Sequence, residues 1–221
     1  MTRSRIIVLG AGGRAGSAIV DELRLRGRDV VAVVRDTRKH ARLAQRGVEL
    51  REGDAADSRS LEGATAVIDA VSPFSAPPPN FDDFDGAFYE KIVDAVAASA
   101  DGREIRFVAV GLAATLPFDD GNSPIADDTL FPAQLRPFAQ AHVHRLERLS
   151  AVARIDWVVV TPPARLSIDG PAGDYTVAEL PVAPASFDFR LSYRQLARAV
   201  VDQVLEPTVT GRQVLVHDRS A

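Results

Sequence analysis

Gly10, Gly13 and Gly16 stand three residues apart, with Gly12 between the first two, after the apolar run 6–9 and at the start of a segment of helical spacing. A strand, a glycine cluster and a helix in that order form a seat for an anion. The first glycine permits a tight turn, the second lets backbone N–H groups approach a diphosphate, and the third lets the helix pack close to the strand. Free N–H groups and the macrodipole at the helix N-terminus then favour negative charge. A purely structural strand-to-helix turn needs glycine too, so the spacing alone leaves both readings open. About twenty residues further on, where a dinucleotide site contacts the adenosine ribose, the second apolar run ends in Arg35. An acidic residue there accepts from a 2′-hydroxyl, whereas a guanidinium matches a 2′-phosphate. Arg35, with Arg38 and Lys39 behind it, points to NADP, and Asp36 keeps NAD as the alternative. Read as a solvated helix start, the same charges imply no cofactor.

These residues need elements to position them. Short Val- and Ile-rich runs predict strands over 5–9, 29–34, 48–51, 66–71, 105–110, 156–161 and 213–217. Helices are expected over 13–26, 87–100, 132–153 and 192–205. Ala15, Ile19 and Leu23 share one face of the first helix, and Leu196, Val200 and Val204 share one face of the last. The alternation predicts an α/β fold of Rossmann-like, doubly wound type: a mostly parallel sheet flanked by helices, in one domain over 1–221. Loops over 72–86, 112–131 and 162–190 are too rich in Pro, Gly and Asp to be regular and are expected to form a small substrate region.

Composition narrows the function. The chain has 221 residues, 46% of them hydrophobic and 25% charged, and no cysteine, which removes disulfide and thiolate chemistry and sulfur-ligated metal centres. A net charge of −4 argues against a nucleic-acid partner. The first apolar run is too short for a signal peptide core and no window approaches a membrane span, so a cytoplasmic location without a membrane partner is expected. Nothing decides between monomer and homodimer.

The blocks "GAGGRAG" at 10–16, "VVRD" at 33–36, "GDAAD" at 53–57, "VAVGLAATL" at 108–116 and "DWVVVTPPARL" at 156–166 carry a likeness to a known family. Two weaker blocks, "GDYTV" at 173–177 and "LSYRQLARAVVDQVL" at 191–205, extend it over nearly the whole chain. In them the sequence resembles the atypical short-chain dehydrogenase/reductases with a Gly-x-x-Gly-x-x-Gly loop, in particular the NmrA-like and biliverdin-IXβ reductase/flavin reductase group. The resemblance implies that Gly10, Gly12, Gly13, Arg14, Ala15 and Gly16 bind the pyrophosphate and Arg35 the 2′-phosphate. It places Asp54 and Ala55 at the adenine, and Val71, Ser72 and Pro73 beside the ribose and nicotinamide. Gly111 and Leu112 would lie under the nicotinamide, with Thr161, Pro162 and Pro163 closing its far side. The plainer readings make Asp54 and Asp57 turn caps and the Pro-Pro pair a strand terminator.

One part of the short-chain pattern is missing. Its Tyr-x-x-x-Lys pair serves as acid and base, the lysine lowering the tyrosine pKa. Here Tyr89, Tyr175 and Tyr193 are followed four residues on by Val93, Glu179 and Ala197. The corresponding helix offers Phe138, His142 and His144 instead, and Thr115 is the nearest hydroxyl after the fifth strand. Thr115, His142 and His144 are the catalytic candidates, the histidines as proton donors. The His-x-His pair diverges on a helix and no carboxylate completes it, so no metal is expected. Trp157 reads as core, and Phe81, Phe84 and Phe88 as flanks of a substrate mouth. Without the acid–base pair, the reading is an NADPH-dependent reductase acting on a flavin, quinone or similar planar small molecule, which takes hydride with little help from a protein acid. The alternative is a non-catalytic NADP(H)-binding redox sensor of the NmrA-like type. An epimerase or dehydratase of sugar nucleotides ranks third, since it needs the absent pair.

Overall fold

The computed structural model describes residues 5–45, 47–74, 78, 80, 81, 83–170 and 172–220. Residues 75–77, 79 and 82 of the expected loop 72–86, residue 171 of the expected loop 162–190, and the ends 1–4 and 221 of the expected domain lie outside the described residues. In chain order the strands and helices are β1 (Ile6–Leu9), α1 (Arg14–Leu25), β2 (Val30–Val34), α2 (Ala41–Gln45), β3 (Glu49–Glu52), β4 (Ala66–Asp69), α3 (Phe88–Ser99) and β5 (Ile105–Val110). They continue with α4 (Arg136–Ala151), β6 (Ile155–Thr161), β7 (Arg165–Ser167), β8 (Tyr175–Ala178), β9 (Arg190–Ser192), α5 (Tyr193–Leu205) and β10 (Arg212–Asp218).

Eight strands form one sheet in the order β3-β2-β1-β4-β5-β6-β10-β8, parallel except for the edge strand β8, which runs antiparallel to β10. This is a Rossmann-like α/β fold. Strand alternation sends successive side chains to opposite faces, and each face finds its own helices. Ile6 and Val8 of β1 bury against Ile19, Val20 and Leu23 of α1 and Leu196 and Val200 of α5. Ile7 and Leu9 face the other way, into a cluster with Ile92, Val93 and Val96 of α3 and Ala141 and Leu149 of α4. The chain winds outward from β1 through β2 to β3, then returns to β4 on β1's other side. The β1/β4 boundary is therefore the switch point, where a crevice opens beyond the strand ends.

Three expectations are corrected. The fourth strand ends at Asp69 rather than at residue 71, because the Asp69 carboxylate accepts the Val71 N–H at 3.0 Å and takes that donor out of the ladder. The fourth helix begins at Arg136, with Pro137 in its first turn and a separate 3₁₀ turn at Ala133–Leu135 before it. The stretch 162–190 is not irregular: β7 pairs with β9 in a parallel ribbon, and β8 closes the main sheet. These strands have three or four residues each and lie among Gly170, Gly173, Pro181 and Pro184, which hides their period in the sequence. No described helix is long and apolar enough to cross a membrane.

A reciprocal cap starts α5. The Ser192 hydroxyl oxygen accepts the Gln195 N–H at 3.1 Å, and the Gln195 side-chain oxygen accepts the Ser192 N–H at 2.9 Å. Ser192→Ala is expected to lower the unfolding free energy by about 1 kcal/mol, read from urea denaturation with an unchanged slope. A loss below a few tenths of that would show the cap to be idle.

Candidate active site

The glycine turn sits at the switch point. Gly10 has φ +72°, and a Cβ there would stand 2.6 Å from the Ala70 carbonyl oxygen and 2.9 Å from the Val71 Cα, so the turn after β1 rests directly on the chain leaving β4. At Gly16 a Cβ would run into the Gly10 carbonyl, so α1 also packs on that turn. Gly13 is the N-cap of α1 and donates to the Gly10 carbonyl at 2.9 Å. No side chain caps this helix and no acid stands in its first turn, so its leading N–H groups, at the exposed Arg14 and half-buried Ala15, lie at the crevice without a capping side chain. Gly12 is exposed, and a Cβ there would enter the imidazole of His40, which lies over the turn. In the sequence, His40 carries no signal beyond its place at the end of the cationic run Arg38, Lys39, His40.

Arg35 is exposed one residue past β2 and has no acidic partner among the described residues. Asp36 is engaged elsewhere: its carboxylate accepts the Arg38 N–H at 3.0 Å and pairs with the Arg38 and Lys39 side chains at 3.5 and 3.9 Å. Past β3, Asp54 accepts the Ala56 N–H at 2.8 Å in a tight turn, while Ala55 packs against the core. Asp57 caps the 3₁₀ turn Ser58–Leu61, and the Arg59 guanidinium bound to it holds its carboxyl below the usual range.

Below the crevice, the ends of β4 and β5 are tied by one buried ion pair. Asp69 and Arg145 are each 1% exposed and meet at 3.2 Å. Arg145 also donates to the Val110 carbonyl at 2.9 Å and to His142 Nδ1 at 3.1 Å, and its guanidinium lies 4.9 Å from the centre of the Tyr89 ring. The Tyr89 hydroxyl donates to the Val71 carbonyl at 3.1 Å. Burial pushes the Asp69 carboxyl up, opposed by Arg145 and the Val71 N–H, and burial pushes the Tyr89 hydroxyl up as well. Burial, reinforced by the Arg145 cation, pushes His142 well below its ordinary value.

The other candidates lie close by. Gly111 follows β5 with its Cα against Thr161, where a Cβ would enter the threonine side chain. Gln213 of β10 donates to Thr161 and Thr115 at 2.8 and 2.9 Å, joining the chains that leave β5 and β6. The Thr115 hydroxyl gives its own proton to the Leu112 carbonyl at 2.8 Å. Ser72, beside Pro73, likewise donates to the Phe74 carbonyl at 2.8 Å. Pro162 and Pro163 are buried after β6. His144 sits on the outer side of α4, 3.5 Å from the Gly86 carbonyl and 4.0 Å from Glu90, away from the buried His142. Above His142 stands an aromatic group that joins the β4–α3 connection to α4. Phe74 lies 5.7 Å from Phe81 and 4.9 Å from Phe138, and Phe84 lies 5.4 Å from Phe81 and 6.2 Å from Phe138. Phe88 points to Tyr89 instead, at 5.0 Å.

Residues 10–207 match the model of the NAD(P)H-binding family. The chain belongs to this family. A Bacillus subtilis relative, the uncharacterised protein YwnB, is 26% identical over 211 residues, which cover 92% of this chain and 93% of that one. A proposed NADH-flavin reductase from Streptococcus pneumoniae superposes with a TM-score of 0.77 at 24% identity, over 98% of this chain and 100% of that one. A proposed epimerase from Bacteroides thetaiotaomicron gives 0.80 at 25% identity, over 98% and 97%.

The crevice fits the nicotinamide dinucleotide that defines the NAD(P)H-binding family. The turn is kept free of side chains at Gly10 and Gly16, the helix end behind it is uncapped, and no acid opposes a phosphate in its first turn. One consequence concerns His142. Its folded pKa is depressed, so the unfolded chain binds the proton more tightly; the stability it contributes is full above its ordinary value of 6.5 and is lost as pH falls below that. Wild-type unfolding free energy is expected to drop on acidification with a slope of at most about 1.4 kcal/mol per pH unit from this group, and His142→Leu is expected to flatten that limb. Equal slopes in the two proteins would mean that the buried ring is already charged in the fold.

Proposed function

We propose that the protein is an NADPH-dependent reductase that delivers hydride to a planar acceptor such as a flavin or quinone. In this reading Gly10, Gly12, Gly13, Arg14, Ala15 and Gly16 form the pyrophosphate seat, with the leading N–H groups of α1 as the donors, and Asp54 and Ala55 border the adenine. Val71, Ser72, Pro73, Gly111, Leu112, Thr161, Pro162 and Pro163 shape the nicotinamide end. A bound reduced nicotinamide supplies hydride. Arg35 selects the 2′-phosphate: its guanidinium is exposed without an acidic partner among the described residues, whereas Asp36 is occupied by Arg38 and Lys39.

The observation that carries the reading is the pairing of an aromatic wall with hydroxyls that, among the described residues beside it, are committed to the backbone. Ser72, Tyr89 and Thr115 each give their proton to a backbone carbonyl. None is placed to take a proton from an alcohol, which sugar epimerisation and alcohol oxidation both require. Phe74, Phe81, Phe84 and Phe138 instead offer flat apolar surface, which suits an acceptor that needs stacking and exclusion of water. The proposed flavin reductase of S. pneumoniae is consistent with this reading, which takes from the proposed epimerase of B. thetaiotaomicron the fold alone.

Oxidation of NADPH and of NADH, followed by nicotinamide absorbance against FMN, riboflavin and small quinones, tests the proposal. Saturable turnover preferring NADPH is expected. Arg35→Ala should raise the KM for NADPH about 10- to 100-fold, the weight of one charge-assisted contact, and leave NADH nearly unchanged. Absence of turnover with every acceptor, with NADP(H) binding intact, would replace the reductase with a redox sensor.

A further inference from the structure

His142 carries a hydrogen-bond donor that finds no partner among the described residues. A guanidinium has only donors, so the contact from Arg145 makes Nδ1 the acceptor and places the proton of the neutral ring on Nε2. That Nε2 is fully buried and has no partner among the described residues, in a side chain only 5% exposed. Leaving a buried donor unmet is costly, so it calls for a partner that arrives with a ligand.

Its position says which ligand. The α4 helix returns antiparallel to the strands between the parallel β5 and β6, so residues earlier on it lie nearer the crevice end of the sheet. Arg145 is level with the last carbonyl of β5, at Val110, and His142, three residues earlier, stands about 4.5 Å further toward the crevice. The imidazole is flanked by Tyr89 at 4.1 Å and by Phe138 at 4.8 Å, and Phe138 continues into the Phe74 and Phe84 rings. An unmet N–H bordered by aromatic rings matches a flat ring with a carbonyl on its edge.

We infer that His142 Nε2–H binds the carbonyl oxygen of the planar acceptor, orienting it and stabilising the negative charge that gathers on that oxygen as hydride adds. This rests on the reductase reading for its chemistry. The acceptor gains one hydride, a proton with two electrons, and becomes its anion; the nicotinamide is oxidised by the same two electrons, and the acceptor's last proton comes from water. His142 gives up no proton, because the neighbouring cation and burial keep the ring neutral. This replaces the role of proton donor that its residue type suggests.

The experiment compares wild type with His142→Gln, which carries an amide donor at similar reach, and His142→Leu, which has none. Riboflavin affinity is read from quenching of flavin fluorescence and NADPH affinity from cofactor fluorescence. Loss of the donor is expected to weaken riboflavin binding about 10- to 100-fold in the leucine variant, with the glutamine variant restoring most of it and NADPH affinity equal in all three. Leucine binding riboflavin as well as wild type, or a parallel loss of NADPH affinity, would overturn the assignment. So would a wild type that binds no riboflavin. Should His142→Leu not fold, the wild-type kcat/KM with a small quinone decides: a profile flat between about pH 6 and 8 supports a neutral donor, and a fall with rising pH makes the ring an acid and overturns the inference. Histidine-dependent riboflavin binding without NADPH turnover would sink the reductase reading and with it the charge-stabilising role, and leave the contact between His142 and the carbonyl standing.

Discussion

The crevice depends on the ion pair between Asp69 and Arg145. Both groups are almost wholly removed from water, and such a pair returns in attraction roughly what it loses in hydration. Its net contribution to stability is therefore small, and its geometric contribution large. One guanidinium holds the carboxylate that ends β4, the carbonyl that ends β5 and the imidazole one turn up α4, while lying against the Tyr89 ring of α3. Two strands and two helices are fixed at the level where the sheet opens. Removing either charge alone would strand the other in the interior, so the two residues are coupled as a unit.

From that pair the glycine turn acquires its support. The second Asp69 oxygen takes the Val71 N–H, and Tyr89 takes the Val71 carbonyl, so the chain leaving β4 is held from both sides. Gly10 rests on that chain at a distance that leaves no room for a Cβ, and Gly16 rests on Gly10. The start of α1, with its uncapped N–H groups, is thus placed through three successive backbone contacts from a buried salt bridge on the opposite face of the sheet. Anion binding at a helix end is precise only when the helix end is fixed, and this is how the fold fixes it.

The glycine spacing, the Val- and Ile-rich strands and the two amphipathic helices that pack on β1 were legible because each obeys a short local period. The buried pair was not, for a physical reason. Arg145 belongs to an arginine-rich chain and reads as one more solvated charge, although it occupies the apolar stripe Phe138, Ala141, His142, Arg145, Leu149 on α4. A charged residue inside such a stripe was the signal available. Arg106 is a parallel case on β5, buried at 8% exposure and bound to Asp156 and to the Gln203 and Val209 carbonyls. The short strands β7, β8 and β9 escaped because pairing across long sequence separations, rather than local pattern, makes them strands.

Committing hydroxyls to backbone carbonyls restricts what the crevice can do. A free tyrosine or serine near a nicotinamide would open the way to alcohols, whose oxidation needs a proton removed in the same event. Ser72, Tyr89 and Thr115 instead stiffen the loops that carry them, and Gln213 joins Thr115 to Thr161 across the β5 and β6 ends. The polar groups of this end of the sheet hold the chain in shape. In the reductase reading, what faces a substrate is aromatic surface, which selects by flatness and by exclusion of water. In that reading, an acceptor able to carry negative charge on its own conjugated ring needs little beyond that surface and the His142 donor at its edge, because most of the electronic cost of taking hydride is borne by the acceptor.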